Sequence, residues 1–192
     1  MMHFQPCVAV LSGPPLHGKS TVARRISSLT NMQWTDVDLL RRGRFPIQSG
    51  VLLPVEEERA LMTTVYRLSL EMVLHSLGQG MPAVLSGTCS RAAFKAVVAE
   101  FVRNERSHTP ITVFRLDINS PSIIEQRIAS RALGDTPSNI KTKAQYDWAL
   151  TIVDPWPEYI VPVPIDASRD VDAVAADIIS RMSAHAVPVQ SN

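Results

Sequence analysis

The sequence has few of the features that would assign it to several large protein classes. Its 192 residues include only two cysteines, Cys7 and Cys89, too few for a disulfide framework and without metal-ligand spacing. The net charge of +1 gives no general attraction to nucleic acid or to an acidic membrane surface. No apolar run approaches the roughly 18 residues of a membrane span, and no basic leader precedes the first one. These absences predict a cytoplasmic protein without a membrane anchor.

Short apolar runs alternate with stretches of helical periodicity along the chain. The runs predict five strands, at residues 7–11, 33–37, 83–86, 111–116 and 159–163. The periodic stretches predict helices at residues 19–29, after Pro54, and at 90–106, 121–133, 142–153 and 171–182. This alternation is typical of an α/β fold with a mostly parallel five-stranded sheet covered by helices on both faces. We expect a single domain over residues 1–192, with a frayed tail at 185–192.

The string SGPPLHGKST, residues 12–21, has the spacing G-x-x-x-x-G-K-[ST] of a phosphate-binding loop. It follows a predicted buried strand and begins a predicted helix, the context in which backbone N–H groups and a helix N-terminus surround an anion. In that geometry Lys19 contacts the β- and γ-phosphates and the Ser20 hydroxyl binds Mg²⁺. A Gly/Pro turn without a ligand is the alternative, which this context disfavours. The predicted nucleotide-binding residues are Gly13, Pro14, Pro15, Leu16, His17, Gly18, Lys19, Ser20 and Thr21, although for His17 a variable loop residue with no chemical role is the favoured interpretation.

The rest of the sequence lacks the motifs of two other classes of phosphate-loop protein, the GTPases and the oligomeric ATPases. The guanine-reading Asn-Lys-x-Asp of GTPases is absent, and so is the Asp-Glu pair with which oligomeric ATPases end a strand. The string WTDVDLLRRG instead places Asp38 and Arg41 one helical turn apart, about twenty residues beyond Lys19. A carboxylate there can accept the proton of an attacking hydroxyl, as a kinase requires. Asp36 competes with Asp38 for this role or for a substrate contact, and its alternative is a strand-end or capping residue.

These two strings resemble those of the small P-loop kinases that include polynucleotide 5'-hydroxyl kinase, chloramphenicol phosphotransferase, gluconate kinase and the zeta-toxin kinases, often grouped as AAA-domain kinases. The resemblance implies a three-layer P-loop NTPase (Rossmann-like) fold, ATP and Mg²⁺, with Asp38 as the base and Arg41 beside it. Many relatives also end the third strand with an Asp that supports Mg²⁺. This chain has Ser86-Gly87-Thr88 there, which leaves Mg²⁺ to Ser20, phosphates and water, with help from Asp36 or Asp38.

Two arginines four residues apart, Arg127 and Arg131, share one helix face that leads into a polar loop. The pattern resembles the lid of these kinases, where arginines stabilise the charge on the transferring phosphoryl group. We therefore predict a lid at residues 133–143. A solvated basic face would carry the same two residues.

The acceptor site is expected between Asp38 and the helix after Pro54, roofed by residues 42–53. Arg41, Arg42 and Arg44 favour an acidic or phosphorylated acceptor, and Thr88 and Arg91 are further candidate contacts. The function that follows is transfer of the γ-phosphoryl group of ATP to a hydroxyl of a small molecule. Two alternatives remain open: a nucleotide-binding sensor or regulatory module with little phosphotransfer, and a nucleic-acid 5'-hydroxyl kinase, which the near-neutral charge disfavours.

Overall fold

The structure is a computed structural model that describes residues 3–45, 53–133 and 140–183. Its strands are β1 (Val8–Ser12), β2 (Gln33–Asp36), β3 (Ala83–Ser86), β4 (Ile111–Asp117) and β5 (Val163–Asp166). Its helices are α1 (Lys19–Leu29), α2 (Val37–Arg44), α3 (Val55–Gly78), α4 (Ala92–Glu105), α5 (Pro121–Leu133), α6 (Lys143–Thr151) and α7 (Val171–Ser183). Within these ranges no helix is both long enough and apolar enough to cross a membrane.

The five strands form one parallel sheet in the order β2-β3-β1-β4-β5. Strand β1 lies at its centre and is buried along its whole length, which explains its uninterrupted apolar sequence. Alternate residues of β1 face opposite sides: Ala9 and Leu11 pack with helices α1, α5, α6 and α7, whereas Val8 and Val10 pack with α3 and α4. Helices therefore cover both faces, and the predicted three-layer α/β fold is confirmed.

The strand predicted at residues 159–163 is wrong in position. Strand β5 begins only at Val163, which pairs with Phe114 of β4. Before it the chain turns, with the N–H of Ile160 donating to the carbonyl of Pro157 at 2.8 Å. Pro162 has no N–H for a ladder, and β5 tolerates a proline itself because it is an edge strand. The apolar residues before β5 thus belong to a turn.

A helix replaces the beginning of the loop predicted at residues 42–53. Asp36 caps helix α2, since its side chain accepts from the N–H of Leu39 at 2.8 Å, and α2 continues through Arg44. Residues 46–52 lie outside the described residues. The same holds for residues 134–139 of the predicted lid and for the predicted tail at 185–192.

Candidate active site

The phosphate-loop sequence leaves the carboxyl end of β1, between the neighbouring strands β3 and β4. Strands β3 and β4 lie on opposite sides of β1. Parallel α/β sheets bind ligands at the carboxyl ends of the strands where the connections switch sides in this way. Gly13 has a φ of 136°, and a Cβ there would lie 2.6 Å from the carbonyl oxygen of Leu116. Gly18 has a φ of 79°, and its Cβ would lie 3.3 Å from Nη1 of Arg127. Both glycines of the motif therefore have a left-handed backbone conformation that favours glycine, and each lies where a Cβ would make a close contact.

The loop has the donors that a polyphosphate needs. Helix α1 begins at Gly18 without a side-chain cap and without an acidic residue in its first turn, so its first N–H groups are left for an anion. Nζ of Lys19 donates to the carbonyl of Pro14 at 2.7 Å, and Nη1 of Arg127 donates to the carbonyl of Leu16 at 2.6 Å. Two cations thus lie against the loop's own carbonyl oxygens. This donor set fits a bound phosphate chain.

Ser20 is the candidate Mg²⁺ ligand of this motif, and it lies exposed in the first turn of α1. The described part of the chain contains no group of three or more His, Cys, Asp or Glu side chains that could hold a metal. A Mg²⁺ ion at Ser20 would therefore keep phosphate oxygens and water among its ligands, which suits its preference for oxygen ligands and retained water.

Lys19 is the buried charge of the site, with 8% of its surface exposed. Burial lowers its pKa to about 8, an effect that the nearby Asp38 opposes. Its Nζ donates to a neutral carbonyl, that of Pro14. A nearby phosphate anion would favour its charged form far more strongly than this carbonyl does.

His17 is held within the protein by both of its ring nitrogens. Nδ1 lies 2.8 Å from the carbonyl oxygen of Leu116 and Nε2 lies 3.0 Å from Oη of Tyr146. Because a carbonyl only accepts, we assign the proton to Nδ1, and the Tyr146 hydroxyl then donates to Nε2. Burial lowers the pKa of His17, which keeps the ring neutral. This geometry favours the interpretation of His17 as a loop residue whose side chain does not contact phosphate.

A cavity of about 470 Å³ opens beside the loop. Its lining combines apolar side chains with arginines and includes Leu16, Thr21, Arg127, Arg131, Arg169 and Val171. Arg127 and Arg131 of α5 thus line the space next to the loop, and burial lowers the pKa of both. A cavity that combines apolar side chains with polar and cationic groups is suited to a planar ring attached to phosphates.

The Asp38 carboxylate lies in the first turn of α2 and interacts with charges from several elements. Burial and then the neighbouring Asp36 raise its pKa, whereas Lys19, Arg42 and Arg41 oppose the rise. Arg131 also interacts with it electrostatically. Asp38 is nevertheless exposed to solvent, so screening by water weakens the effect of these charges on its pKa. Asp38 thus interacts electrostatically with Lys19, Arg41 and Arg131, which belong to three different helices.

The remaining predicted substrate contacts differ in their surroundings. Asp36 is 7% exposed and acts as the cap of α2, the alternative interpretation of this residue. Nε of Arg41 is buried and has no hydrogen-bond partner within the described residues. The carbonyl of Thr88 accepts from the N–H of Gly13 at 3.5 Å, next to the phosphate loop. Arg91 is the N-terminal cap residue of α4, where its carbonyl accepts from the N–H of Lys95.

Three hydrogen bonds around the end of β3 were not predicted from the sequence. Nε1 of Trp34 donates to the Ser86 hydroxyl at 3.0 Å, and that hydroxyl donates to Oδ2 of Asp36 at 2.7 Å. The hydroxyl of Tyr66 accepts from the N–H of Cys89 at 2.7 Å. The two cysteines are free and buried. The parallel pairing of β2 with β3 was the signal that would have placed Asp36 beside Ser86.

No family model matches the chain. Curated relatives include an uncharacterized protein of Mycobacterium tuberculosis and one of Mycobacterium bovis, each 28% identical over 158 residues, which is 77% of this chain. The chain spans 31% of the length of these relatives.

Solved structures resemble the chain over nearly its whole length. A sugar kinase from Janibacter has a TM-score of 0.64 at 13% identity and covers 95% of this chain and 99% of its own. A gluconokinase from Sinorhizobium meliloti has a TM-score of 0.63 at 15% identity and covers 94% of each chain. An APS kinase from Mycobacterium tuberculosis has a TM-score of 0.58 at 14% identity and covers 93% of this chain and 98% of its own. All three are small P-loop kinases, so the chain has the fold that the sequence resemblance implied.

Proposed function

We propose that the chain is a kinase that transfers the γ-phosphoryl group of ATP to a hydroxyl of an acidic small molecule in the cytoplasm. The observation that carries the proposal is the electrostatic interaction of Lys19 and Arg131 with the Asp38 carboxylate, which lies in the first turn of the helix after strand β2 of a parallel sheet whose central strand leads into the phosphate loop. A phosphate-binding lysine, a carboxylate and a second cation are the groups that phosphoryl transfer to a hydroxyl requires.

The donor nucleotide would bind along the loop and into the neighbouring cavity. Its phosphates would take the N–H groups at the start of α1 and replace the carbonyl partners of Lys19 and Arg127, and its base would lie in the cavity beside Arg169 and Val171. Mg²⁺ held by Ser20 would supply charge neutralisation of the phosphate oxygens. ATP in preference to GTP rests on the family resemblance.

Asp38 would act as the general base. The acceptor hydroxyl oxygen attacks the γ-phosphorus, the bond from that phosphorus to the β–γ bridging oxygen breaks, ADP leaves and the hydroxyl proton moves to Asp38. The raised pKa of Asp38 makes it a stronger base than an ordinary carboxylate. Lys19 and Arg131 would stabilise the negative charge on the transferring group, with Arg127 assisting from the donor side.

The acceptor is proposed to carry a carboxylate or phosphate. Arg41 supports this because its Nε is buried without a hydrogen-bond partner in the part of the chain described, and Arg42 adds a second cation close to Asp38. A guanidinium group pairs well with planar or tetrahedral oxyanions. Two proteins of similar structure, a sugar kinase and a gluconokinase, agree with a small-molecule acceptor.

The test is release of ADP from ATP in the presence of a panel of hydroxy acids, phosphorylated sugars and uncharged polyols. We expect the anionic acceptors to stimulate release, and Asp38→Asn to lower kcat by about 10²- to 10⁴-fold while ATP binding is kept. Glu100→Gln, which removes an exposed carboxylate on α4, is the matched control. An unchanged kcat in Asp38→Asn would remove Asp38 from the role of base. ATP consumption that no acceptor stimulates would favour the sensor or regulatory module.

A further inference from the structure

We infer that Asp36, held by Ser86 and Trp34, is a positioning residue that fixes the start of helix α2 and so orients Asp38 toward the acceptor hydroxyl. This inference rests on the proposed role of Asp38 as the base. It assigns to Asp36 a task other than contact with the substrate.

A continuous chain of hydrogen bonds supports the assignment. Nε1 of Trp34 donates to Oγ of Ser86 at 3.0 Å, and Oγ of Ser86 donates to Oδ2 of Asp36 at 2.7 Å. The other carboxylate oxygen, Oδ1, accepts from the N–H of Leu39 at 2.8 Å. Both oxygens of Asp36 are therefore engaged inside the protein, one toward the sheet and one toward the helix.

The sheet register makes this arrangement rigid. Asp36 and Ser86 are paired residues at the ends of the parallel strands β2 and β3, so their side chains start from backbone positions that the ladder holds. Asp36 is 7% exposed and Ser86 is 1% exposed. A buried carboxylate depends on its protein partners, because little water is present to replace a lost hydrogen bond.

Packing holds the same junction from a second direction. Val37, between Asp36 and Asp38, is fully buried. A Cβ at Gly87 would lie 3.0 Å from Cγ2 of Val37 and 3.1 Å from Oη of Tyr66. The absence of a side chain at Gly87 thus lets the start of α2 and the middle of α3 approach the end of β3 closely.

The cap controls where Asp38 points because the helix it starts is short. Helix α2 has eight residues and Asp38 is its second, so loss of the bond to the N–H of Leu39 loosens the very turn that contains the base. A misplacement of about 1 Å at a reacting group can lower a rate by about 10²-fold. Capping by Asp36 is therefore expected to appear in kcat rather than in nucleotide binding.

The charge of Asp36 gives a second and independent signature. It raises the pKa of Asp38, so its removal lowers that pKa. The other titratable or charged groups that act on Asp38 come from several elements: Lys19 of α1, Arg41 and Arg42 of α2, Tyr66 of α3, Cys89 after β3 and Arg131 of α5. The charge of Asp36 also acts on Lys19, whose pKa of about 8 lies away from the acidic limb, so a shift of that limb of the kcat profile in the cap-retaining Asp36→Asn reports the loss of the Asp36 charge.

The experiment compares Asp36→Ala with Asp36→Asn in the acceptor-stimulated reaction. Ala removes both the cap and the charge, and we expect kcat to fall by about 10- to 100-fold with the KM for ATP unchanged. Asn caps a helix as well as Asp does, so it should recover most of the lost kcat while the acidic limb of the pH profile moves to lower pH.

Ser86→Ala provides the readout that does not need activity. It removes the acceptor of the Trp34 indole N–H, so the emission attributable to Trp34, obtained by difference from Trp34→Phe, should shift. Ser69→Ala is the matched control, because Ser69 is equally buried but bonds only within its own helix, to the carbonyl of Val65. The control should leave both the emission and kcat unchanged.

The inference is overturned if a folded Asp36→Ala keeps its kcat within twofold while Asp38→Asn loses activity. It is also overturned if Asp36→Ala raises only the acceptor KM, which would make Asp36 a substrate contact, or if Asp36→Asn leaves the pH profile in place. If Asp38→Asn itself retains full kcat, the proposed function of Asp38 fails first and this inference fails with it.

Discussion

The buried charge of Lys19 predicts that nucleotide binding takes up protons. Burial lowers its pKa from 10.5 to about 8, which corresponds to about 3 kcal/mol of penalty on the charged form. The neutral carbonyl of Pro14, 2.7 Å from Nζ, offsets this penalty only in part. A phosphate oxygen in place of that carbonyl favours the ammonium group and raises the pKa again.

The size of the effect follows from the two protonation states. At pH 8 about half of the Lys19 side chains are neutral before binding, so binding should take up about half a proton. At about pH 6.5 the side chain is already charged and uptake through Lys19 should be close to zero. At about pH 9 uptake should approach one proton, provided that the bound pKa returns to its ordinary range.

Isothermal titration calorimetry with ADP measures this uptake, because the observed heat then depends on the ionisation enthalpy of the buffer. Titrations in two buffers at each pH give the number of protons directly. Lys19→Arg is the control: its guanidinium group stays charged throughout this range, so the pH-dependent uptake should disappear even if affinity is reduced. Equal heats in both buffers at pH 8, or the same uptake in Lys19→Arg, would refute the reasoning.

Two further predictions concern stability. Gly87→Ala should lower the free energy of unfolding by about 1–3 kcal/mol, because its Cβ would meet Val37 and Tyr66 at 3.0–3.1 Å; Gly78→Ala, with open space around its Cβ, should be neutral or slightly stabilising in the same urea titration. His17 has a lowered pKa, so below its ordinary value of 6.5 the unfolded chain binds a proton that the folded chain excludes, and the free energy of unfolding falls as the pH drops. His17→Gln should lose this part of the pH dependence; parallel curves for the two proteins between about pH 5 and 8 would contradict the assignment.

The phosphate loop was predictable because everything that defines it is local in the sequence. Gly13 and Gly18 have positive φ values that suit glycine, and Lys19 lies one residue after the second of them. The strand before the loop and the helix after it are signalled by short-range periodicity. The start of helix α5 at Pro121 was also predicted, because a proline begins the helix and apolar residues recur after it at helical spacing.

Features that depend on contacts across the sheet could not be predicted in this way. The ring of His17 is held by residues 99 and 129 positions away in the chain, so its neighbours in sequence say nothing of its surroundings. The bond between Ser86 and Asp36 spans 50 residues. The residues before β5 have the composition of a strand, yet Pro162 and the turn at Pro157 shift the pairing toward the following residues.

The two halves of the proposed active site differ in whether their cations already have hydrogen-bond partners. On the donor side, the cations Lys19 and Arg127 already have hydrogen-bond partners in the loop, so a nucleotide must exchange one set of partners for another. On the acceptor side, Nε of Arg41 is buried and, among the described residues, unpaired. Water has already been removed from that group by folding, so an anionic acceptor gains its hydrogen bond without the usual cost of desolvating the donor. Discrimination for an acidic acceptor is therefore expected to depend more on Arg41 than on the exposed arginines of the same helix.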